Sequence, residues 1–525
     1  METKFRMLLL SLFICLSATA QNSISDRIIE ANVSNVKGQL PKSFNMCVGA
    51  GRANEGLRAD WQRQLKIAHE ACSFKYIRFH GLLSDDMGVY FEDKTGKPYY
   101  NFQYIDELFD FLQSINMKPF VELGFMPGAL ASGSNTIFWW KGNVTPPKDY
   151  KKWDDLIKAL LAHWTARYGE QEVASWYFEV WNEPNLRGAF FTGTQEDYFK
   201  LYQETAGSIK SVSGKYRVGG PATAGNAWIP EFINFCTQQK VPVDFISTHD
   251  YGVKQGFLDV NGNAGTILSR DRYHVADNMR GSKKQILNST MPQLELHYTE
   301  WSASYTPADP IHDSYHEAAY ILNTVKWAAP SVNSMSYWTF TDIFEEAGPR
   351  ATPFHGGFGL INYEDIKKPA FHAFEYLNRL GETELQCADS SAIISKDLNG
   401  NVQALVWDFT IDHPGDSVNN QVFYKRVLPA KNLAPAQLKL KGLKPGKYAI
   451  TVYKTGYQAN DAYTAYVKLG SPAQLSTDEV KTLKAKTSDQ PIEQSTINIG
   501  ASGNFEKQLD LRQNDVLFVQ IKRIN

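Results

Sequence analysis

The chain has 525 residues, of which 43% are hydrophobic and 21% are charged, and its formal net charge at pH 7 is −2. This is an ordinary globular composition, and the length allows one large barrel with a smaller domain or three average domains. The balanced charge, without long blocks of like sign, argues against a nucleic-acid-binding surface and against a polybasic membrane anchor.

The first twenty residues have the pattern of a signal peptide. Lys4 and Arg6 precede an apolar run over residues 7–16, and Ala-Thr-Ala at 18–20 supplies a small-residue cleavage pattern. We therefore predict that residues 1–20 are removed and that the mature chain begins at Gln21. Its location would be periplasmic or extracellular. A frayed N-terminal helix is the alternative, and no cysteine directly follows the cleavage pattern to carry a lipid anchor.

Four cysteines remain after the predicted cleavage, and they are scattered along the chain without a CxxC pair. Such spacing indicates neither a zinc site nor a redox motif. We expect buried free thiols, with one disulfide as the alternative. The four are Cys47, Cys72, Cys236 and Cys387.

Residues 42–378 alternate short apolar runs with amphipathic stretches, which is typical of parallel strands joined by helices. Helical spacing is clearest in residues 61–71, 104–115, 153–168, 198–211 and 315–328. The eight predicted strands are residues 44–48, 76–79, 119–123, 176–180, 217–220, 245–247, 294–298 and 334–338. Eight such units predict an α/β fold of the (β/α)8 TIM-barrel type. A doubly wound sheet is the competitor, but no GxGxxG follows an early strand.

The pattern changes in residues 379–525. Short alternating runs separated by Gly and Pro turns occur at 392–395, 402–408, 437–440, 448–453 and 516–521. This pattern predicts an appended antiparallel β-sandwich as an accessory domain. Residues 21–41 form an N-terminal segment that we expect to add a strand to this sandwich. No low-complexity linker separates the two domains.

The strongest local motif is WYFEVWNEPN at residues 176–185. A β-rich run ends in Asn182, Glu183 and Pro184, and proline cannot donate to a strand ladder, so the strand must stop there. A carboxyl group at the C-terminal end of a barrel strand lies where barrel active sites form. We therefore select Glu183, which follows predicted strand four.

The second motif is LELHYTEW at residues 294–301, in which predicted strand seven ends at Glu300. A lone glutamate after a strand is usually solvated, but strands four and seven lie on opposite sides of a barrel mouth. Cleavage of a glycosidic bond needs one protonated carboxyl and one carboxylate that attacks or activates water. Glu183 and Glu300 are the candidate pair. We expect burial and the charge of Glu300 to raise the pKa of Glu183.

These two motifs resemble those of clan A glycoside hydrolases, which are retaining (β/α)8 enzymes. Further segments resemble glycoside hydrolase family 39, the β-xylosidase and α-L-iduronidase family, and the last two resemble its β-xylosidase branch. They are FKYIRFHG at 74–81, PFVELGFMP at 119–127, STH at 247–249, WTFTDIFEE at 338–346 and PFHGGFG at 353–359. Their order along the chain is more specific than any one of them.

The resemblance implies roles for individual residues. Glu183 matches the acid/base, and Glu300 matches the nucleophile. Asn182 matches a residue that hydrogen-bonds the sugar 2-hydroxyl. The other implied substrate-binding residues are His80, His249, Tyr251, Trp338, Glu345 and Glu346. Trp338 would stack beneath the sugar, although ordinary barrel packing is an alternative for it.

His80 and His249 lack a third ligand at metal-binding spacing, so we predict no metal and no cofactor. The remaining alternative for either histidine is a purely structural role.

The predicted function is therefore that of a retaining glycoside hydrolase that cleaves terminal glycosidic bonds, namely a β-D-xylosidase acting on xylo-oligosaccharides or related plant glycans. Within the family the alternative is an α-L-iduronidase, whose uronate needs a cationic partner. The segment after His249 offers no base before Lys254, and Arg350 is the other candidate. From another class, the alternative is a catalytically silent carbohydrate-binding protein. The natural substrate, exo or endo action and the oligomeric state stay open.

Overall fold

The computed structural model describes residues 27–258, 264–415 and 419–524. The predicted signal peptide and its cleavage point lie outside these residues. Among the described helices, none combines the length and the apolar character that crossing a bilayer requires. The four cysteines are free thiols, as predicted; three are buried and Cys387 is partly buried.

Eight parallel strands close into a barrel, and each is followed by a helix. The strands are β1 (Cys47–Arg52), β2 (Tyr76–His80), β3 (Lys118–Leu123), β4 (Tyr177–Val180), β5 (Arg217–Thr223), β6 (Phe245–Tyr251), β7 (Glu295–Ser302) and β8 (Ser334–Tyr337). Tyr337 of β8 pairs with Val48 of β1, which closes the ring. The predicted barrel is confirmed. The first strand begins later than predicted, because Ser43–Asn45 forms a 3-10 turn.

Eight helices surround the strands. They are α1 (Ala59–Cys72), α2 (Gln103–Ser114), α3 (Tyr150–Tyr168), α4 (Gln195–Val212), α5 (Ile229–Gln239), α6 (His274–Leu287), α7 (His316–Ala328) and α8 (Pro369–Asn378). A short helix, Glu170–Val173, follows α3. In α1 the buried residues Trp61, Leu65, Ala68 and Cys72 recur every three or four positions, so one stripe of the helix faces the barrel.

The second domain is a sandwich of a seven-stranded antiparallel sheet and a three-stranded sheet. In spatial order the larger sheet consists of Val36–Gln39, Thr383–Leu385, Ala392–Lys396, Val402–Trp407, Val516–Ile524, Gly446–Thr455 and Glu493–Ile499. The smaller sheet consists of Arg27–Asn32, Ala436–Lys441 and Phe505–Leu509. Apolar side chains of both sheets, including Ile29, Leu438 and Val519, share one buried core.

Two helices interrupt this domain, where the sequence pattern predicted only strands. They are Ala462–Lys468 and Thr477–Lys486. Tyr466 and Leu483 of these helices pack with Phe354 from the loop after β8. The helices therefore connect the sandwich to the barrel loops that carry part of the site.

Three hairpins extend from the loops that follow β2, β3 and β6. They pair Tyr90–Glu92 with Pro98–Tyr100, Thr136–Ile137 with Gly142–Asn143, and Val253–Leu258 with Ala264–Leu268. These connections belong to the C-terminal ends of the strands, so they build up the rim on which barrel enzymes place their sites.

Candidate active site

A cavity of about 620 Å³ opens at the C-terminal ends of the barrel strands. This volume lies within the roughly 300–1,000 Å³ range typical of ligand sites. Its lining consists of His80, Asn182, Glu183, Leu186, Phe190, Ala224, Gly225, Asp250, Tyr251, Val253, Glu300, Tyr305, Trp338 and Glu346. Seven of the nine residues that the sequence singled out therefore line one cavity, and an eighth, His249, lies directly against Glu183, with its Nδ1 2.9 Å from Glu183 Oε1.

Glu183 reaches the cavity through an uncommon backbone conformation. After β4 ends, Trp181 and Glu183 have φ values of 73° and 44°, in the left-handed region that side chains other than glycine rarely adopt. The backbone N–H of Glu183 donates to the carbonyl of Ala222 on β5 over 2.8 Å, which holds this turn. Backbone strain of this kind concentrates at functional sites.

Glu300, on β7, is held by two donors. Nη1 of Arg78 donates to its Oε1 over 2.6 Å, and the hydroxyl of Tyr251 donates to its Oε2 over 2.6 Å. One carboxylate oxygen of Glu300 and one of Glu183 lie within 4.8 Å of each other. Carboxyl groups about 5–5.5 Å apart are typical of retaining glycosidases, whereas inverting enzymes separate them by about 6.5–9.5 Å.

The pKa of Glu183 is raised to about 7, mainly by burial. Arg78 opposes this shift and Glu122 adds to it. The sequence-based expectation that Glu300 supplies the repelling charge is therefore wrong, and the contributing carboxylate is Glu122 on β3.

Arg78 is the centre of the site and was missed as a functional residue. Its guanidinium is fully buried and contacts Glu179 Oε2 at 2.7 Å, Glu122 Oε2 at 2.9 Å and Asn182 Oδ1 at 2.8 Å, in addition to Glu300. The sequence carried a usable signal. Arginine and glutamate are almost never fully buried unless paired, and here three such residues occupy apolar strands β2, β3 and β4.

Asn182 is oriented by this contact. Because its Oδ1 accepts from Arg78, the amide N–H groups of Asn182 are the donors left for a sugar hydroxyl in the cavity. This orientation agrees with the role that the family resemblance implied.

The two histidines are buried and face different carboxyl groups. Burial lowers the pKa of His80 to about 3, with the charge of Arg78 as a further cause, and its Nδ1 lies 2.6 Å from Glu122 Oε2. Its Nε2 lies 3.6 Å from both Glu300 Oε1 and Glu346 Oε1. Burial also lowers the pKa of His249, whose Nδ1 lies 2.9 Å from Glu183 Oε1. Both rings are therefore uncharged near neutral pH.

Trp338 forms part of the cavity wall. Its ring centroid lies 4.8 Å from that of His80. The close approach depends on Gly49 of β1, because a Cβ there would lie 2.4 Å from the Trp338 ring. The indole faces the cavity and also packs in the protein, so both interpretations from the sequence describe part of its environment.

The two adjacent residues Glu345 and Glu346, both predicted to bind substrate, have different environments. Glu346 lines the cavity, and burial raises its pKa well above the usual range. Glu345 does not line it: Arg52 and Arg58 bind its two oxygens at 2.6 and 3.1 Å. Successive side chains of this loop point in different directions, so the interpretation of Glu345 as a substrate-binding residue is corrected to an ion pair behind the site.

Four further residues with apolar side-chain surface line the cavity and were not predicted. They are Leu186, Phe190, Val253 and Tyr305. Tyr305 and Leu186 are 46% and 38% exposed, and the Tyr305 ring packs edge-on against Tyr251. Their signal in sequence is weak, because three of them lie in loops and Val253 begins a hairpin strand outside the barrel.

Two groups of described residues place three potential metal ligands close together: Glu183, His249 and Glu300, and separately His372, Glu375 and Asp489. In the first, Arg78 and Tyr251 already bind Glu300. In the second, Arg379 pairs with both Glu375 and Asp489. In each group an arginine already supplies the positive charge that a metal ion would bring to the carboxylates. We therefore assign no metal to either group.

The closed barrel and the paired carboxyl groups at its mouth define the class of the protein, which is a glycoside hydrolase. Residues 28–506 match the model of glycosyl hydrolases family 39, and the chain belongs to this family.

Individual relatives cover nearly the whole chain. It is 38% identical to a β-xylosidase of Geobacillus stearothermophilus over 497 residues, which is 94% of this chain and 95% of the relative. The crystal structure of a monomeric β-xylosidase from Caulobacter crescentus CB15 superposes with a TM-score of 0.91 at 41% identity, covering 95% of this chain and all of that one. Human α-L-iduronidase is more distant, at 24% identity over 88% of this chain and 72% of its own.

Proposed function

We propose that the protein is an exported, retaining β-D-xylosidase that uses Glu183 as acid/base and Glu300 as nucleophile. The observation that carries the mechanism is the approach of the two carboxyl groups to within 4.8 Å, with Glu300 held by Arg78 and Tyr251. Export rests on the signal-peptide pattern of residues 1–20.

In the first step Glu300 attacks the anomeric carbon, and the bond between that carbon and the leaving oxygen breaks. The electron pair of this bond goes to the leaving oxygen, which takes a proton from Glu183. A pKa of about 7 leaves much of Glu183 protonated near neutral pH, as this step requires. The amide of Asn182 donates to the 2-hydroxyl, and such a hydrogen bond strengthens as the oxocarbenium-like transition state develops.

In the second step water replaces Glu300. The carboxylate of Glu183 takes a proton from the water as its oxygen bonds to the anomeric carbon, and Glu300 leaves as a carboxylate. Glu183 is then protonated again, so the cycle closes without a cofactor. Two displacements on opposite faces give net retention.

Xylose is supported over a uronic acid by the charges around the cavity. Among the described residues that line it there is no lysine or arginine. Arg78, just behind the lining, is already engaged by three carboxylates. Arg350, the other candidate cation, interacts electrostatically with Glu346 but is not part of the lining. A uronate would therefore meet Glu346 and Glu300 with no cationic side chain among the described lining residues. The β-xylosidase names of the relatives point to the same substrate.

The test is a panel of 4-nitrophenyl glycosides, including β-xyloside, β-glucoside, α-arabinoside and α-iduronide. We expect the β-xyloside to have the highest kcat/KM, and NMR of the first product to show the β-anomer. An α-anomer would contradict retention, and a preference for the iduronide would contradict the xylosidase. Binding of xylo-oligosaccharides without turnover of any substrate would instead support the silent carbohydrate-binding protein.

A further inference from the structure

Four buried side chains form a hydrogen-bonded chain that ends at Glu183. Nδ1 of His249 lies 2.9 Å from Glu183 Oε1, and its Nε2 lies 3.1 Å from Oγ1 of Thr299. The Thr299 hydroxyl lies 2.8 Å from Oε1 of Glu179. The contacts therefore run in series across β4, β6 and β7, below the floor of the cavity.

The direction of these hydrogen bonds is fixed at the Glu179 end. Burial is the largest single influence and raises the pKa of Glu179, but the charge of Arg78 together with neighbouring hydrogen-bond donors, Thr299 among them, leaves the pKa lowered. Arg78 Nε also donates to its Oε2 over 2.7 Å. An ionised carboxylate only accepts hydrogen bonds. The single proton of the Thr299 hydroxyl must therefore point at Glu179.

This assignment determines the tautomer of His249. Because the only hydroxyl proton of Thr299 is donated to Glu179, the Thr299 oxygen can only accept a hydrogen bond from His249. The proton of the neutral His249 ring is therefore on Nε2. The ring is uncharged, because burial lowers its pKa, so Nδ1 carries a lone pair. A lone pair 2.9 Å from Glu183 Oε1 makes a hydrogen bond only when Glu183 is protonated.

We propose that Glu179, Thr299 and His249 form a relay that holds Glu183 in its protonated form, with Thr299 and Glu179 as positioning residues that act through His249. The proposal rests on the role of Glu183 as acid/base. In the free enzyme the relay stores the proton on Oε1. A half-turn of the terminal carboxyl exchanges its two oxygens and presents that proton to the leaving group.

The relay serves both chemical steps. After the proton has passed to the leaving oxygen, the carboxylate of Glu183 faces a lone pair on Nδ1 and gains no hydrogen bond from it. It is therefore a strong base towards the incoming water. His249 neither gains nor loses a proton in the cycle, so its tautomer is the same at the start of each turnover.

Other ionisable groups surround Glu183 and His249 and contribute to the proton affinity of Glu183. They are Arg78, His80, Glu122, Glu179, Tyr251, Glu300 and Glu346. None of these residues is itself replaced when Thr299 alone is changed. Glu179 loses the hydrogen bond from Thr299 but keeps the one from Arg78.

The test is the pH dependence of kcat/KM for phenyl β-xyloside in Thr299→Val. Without the hydroxyl, an Nε2–H would be buried without an acceptor, so the proton should move to Nδ1 and donate to Glu183. That hydrogen bond favours the ionised form of Glu183, and the basic limb should move to lower pH by about one unit, or roughly tenfold in proton affinity. Dinitrophenyl β-xyloside, which needs no acid, should show little loss in its glycosylation step.

Two further variants control for a purely structural effect. Thr299→Ser keeps the hydroxyl and should restore the wild-type limb. Thr248→Val removes another buried hydroxyl, one that donates to the carbonyl of Thr223, and should leave the limb in place. An unmoved limb in Thr299→Val, or an equal shift in all three variants, would overturn the relay.

A measurement on the unmodified enzyme decides the tautomer without any substrate. Nitrogen-15 NMR of the histidine-labelled protein should show His249 with a protonated Nε2 and a bare Nδ1 near neutral pH. The reverse tautomer, or a doubly protonated ring, would overturn the proposal. If the enzyme hydrolysed no β-xyloside, the proposed substrate would fail while the NMR result still decided the relay.

Discussion

The hydroxyl of Tyr251 and Oε2 of Glu300 are 2.6 Å apart, and this contact ties the end of β6 to the nucleophile on β7. The tyrosine donates to the same carboxylate that Arg78 holds from the other side. Removing the Tyr251 hydroxyl would leave Oε2 of Glu300 without this donor. The charge of Arg78 would still hold the Glu300 carboxylate in place.

We therefore expect Tyr251→Phe to lower kcat for aryl β-xylosides by about 10²-fold, which is the usual scale for removing one positioned hydrogen bond. Thermal unfolding should change little. Tyr99→Phe is the matched control, because the exposed Tyr99 hydroxyl bonds only Asp93 on an outer hairpin. Equal rates in both variants would argue against a role for the Tyr251 hydroxyl.

Glu300→Gly should abolish hydrolysis and leave the fold intact. With azide present, the variant should convert dinitrophenyl β-xyloside to the α-xylosyl azide, since azide enters the space of the carboxylate and attacks from that face. NMR of the product reads the configuration. Glu295→Gln, at the opposite end of β7, serves as the control. Near wild-type turnover by Glu300→Gly would remove Glu300 from the nucleophile role.

Glu183→Ala should slow phenyl β-xyloside far more than dinitrophenyl β-xyloside, because an acid matters most when the departing oxygen is basic. With the dinitrophenyl substrate a covalent glycosyl-enzyme should accumulate, since attack by Glu300 survives and water activation fails. Mass spectrometry of the intact protein detects it. Equal losses with both substrates would contradict the acid/base assignment.

Tyr305→Ala should raise KM for xylobiose by about tenfold, equivalent to about 1.4 kcal/mol of binding. The exposed ring lines the cavity together with Leu186 and Val253, and we expect this apolar surface to bind the leaving-group sugar. Methyl β-xyloside, with almost no leaving group to bind, should be affected much less. Tyr99→Ala is the control. Equal changes for both substrates would place Tyr305 outside the leaving-group region.

Glu317 on α7 predicts a pH effect on stability. Burial raises its pKa from 4.5 to about 8, although the Tyr337 hydroxyl donates to its Oε1 over 2.9 Å. The folded chain thus keeps a proton that the unfolded chain loses, so the stabilisation is complete below pH 4.5 and is lost as pH rises through about 8. Between these values the slope is up to about 1.4 kcal/mol per pH unit.

We expect Tm of the wild type to fall more steeply than that of Glu317→Gln between about pH 5 and pH 8. Glutamine fills the same space without titrating. The exposed Glu107→Gln should follow the wild type. Parallel curves for wild type and Glu317→Gln would show that Glu317 is not the group responsible.

The sequence predicted the barrel well because parallel buried strands and amphipathic helices leave different apolar periods. Glu183 and Glu300 were accessible for the same reason, since each ends such a strand. The sequence did not reveal the functional importance of Arg78, Glu122 and Glu179. Their function depends on which strands lie side by side, and the periodicity of a single strand carries no information about that. The relay through Thr299 is even harder to predict from sequence, because the direction of its hydrogen bonds depends on distances between side chains of three strands.

In the second domain, the sequence contains a local helix signal that the strand prediction overlooked. Ser476 and Glu479 form a capping box at the start of Thr477–Lys486, a pattern that is readable in sequence. The alternating strands around it dominated the interpretation. The direction of Glu345 could not be predicted, because it depends on Arg52 and Arg58, nearly 300 positions earlier in the chain.

The two N-terminal strands belong to the sandwich, which gives the chain an unexpected order of domains. Arg27–Asn32 pairs with Ala436–Lys441, and Val36–Gln39 pairs with Thr383–Leu385, so the barrel is an insertion within the sandwich. The sandwich cannot be completed until the last strand has been synthesised, whereas the barrel has all its strands long before. Excising the barrel for engineering therefore requires two cuts, one before β1 and one after α8. A circular permutant that opens the chain between these domains would turn the insertion into a tandem arrangement.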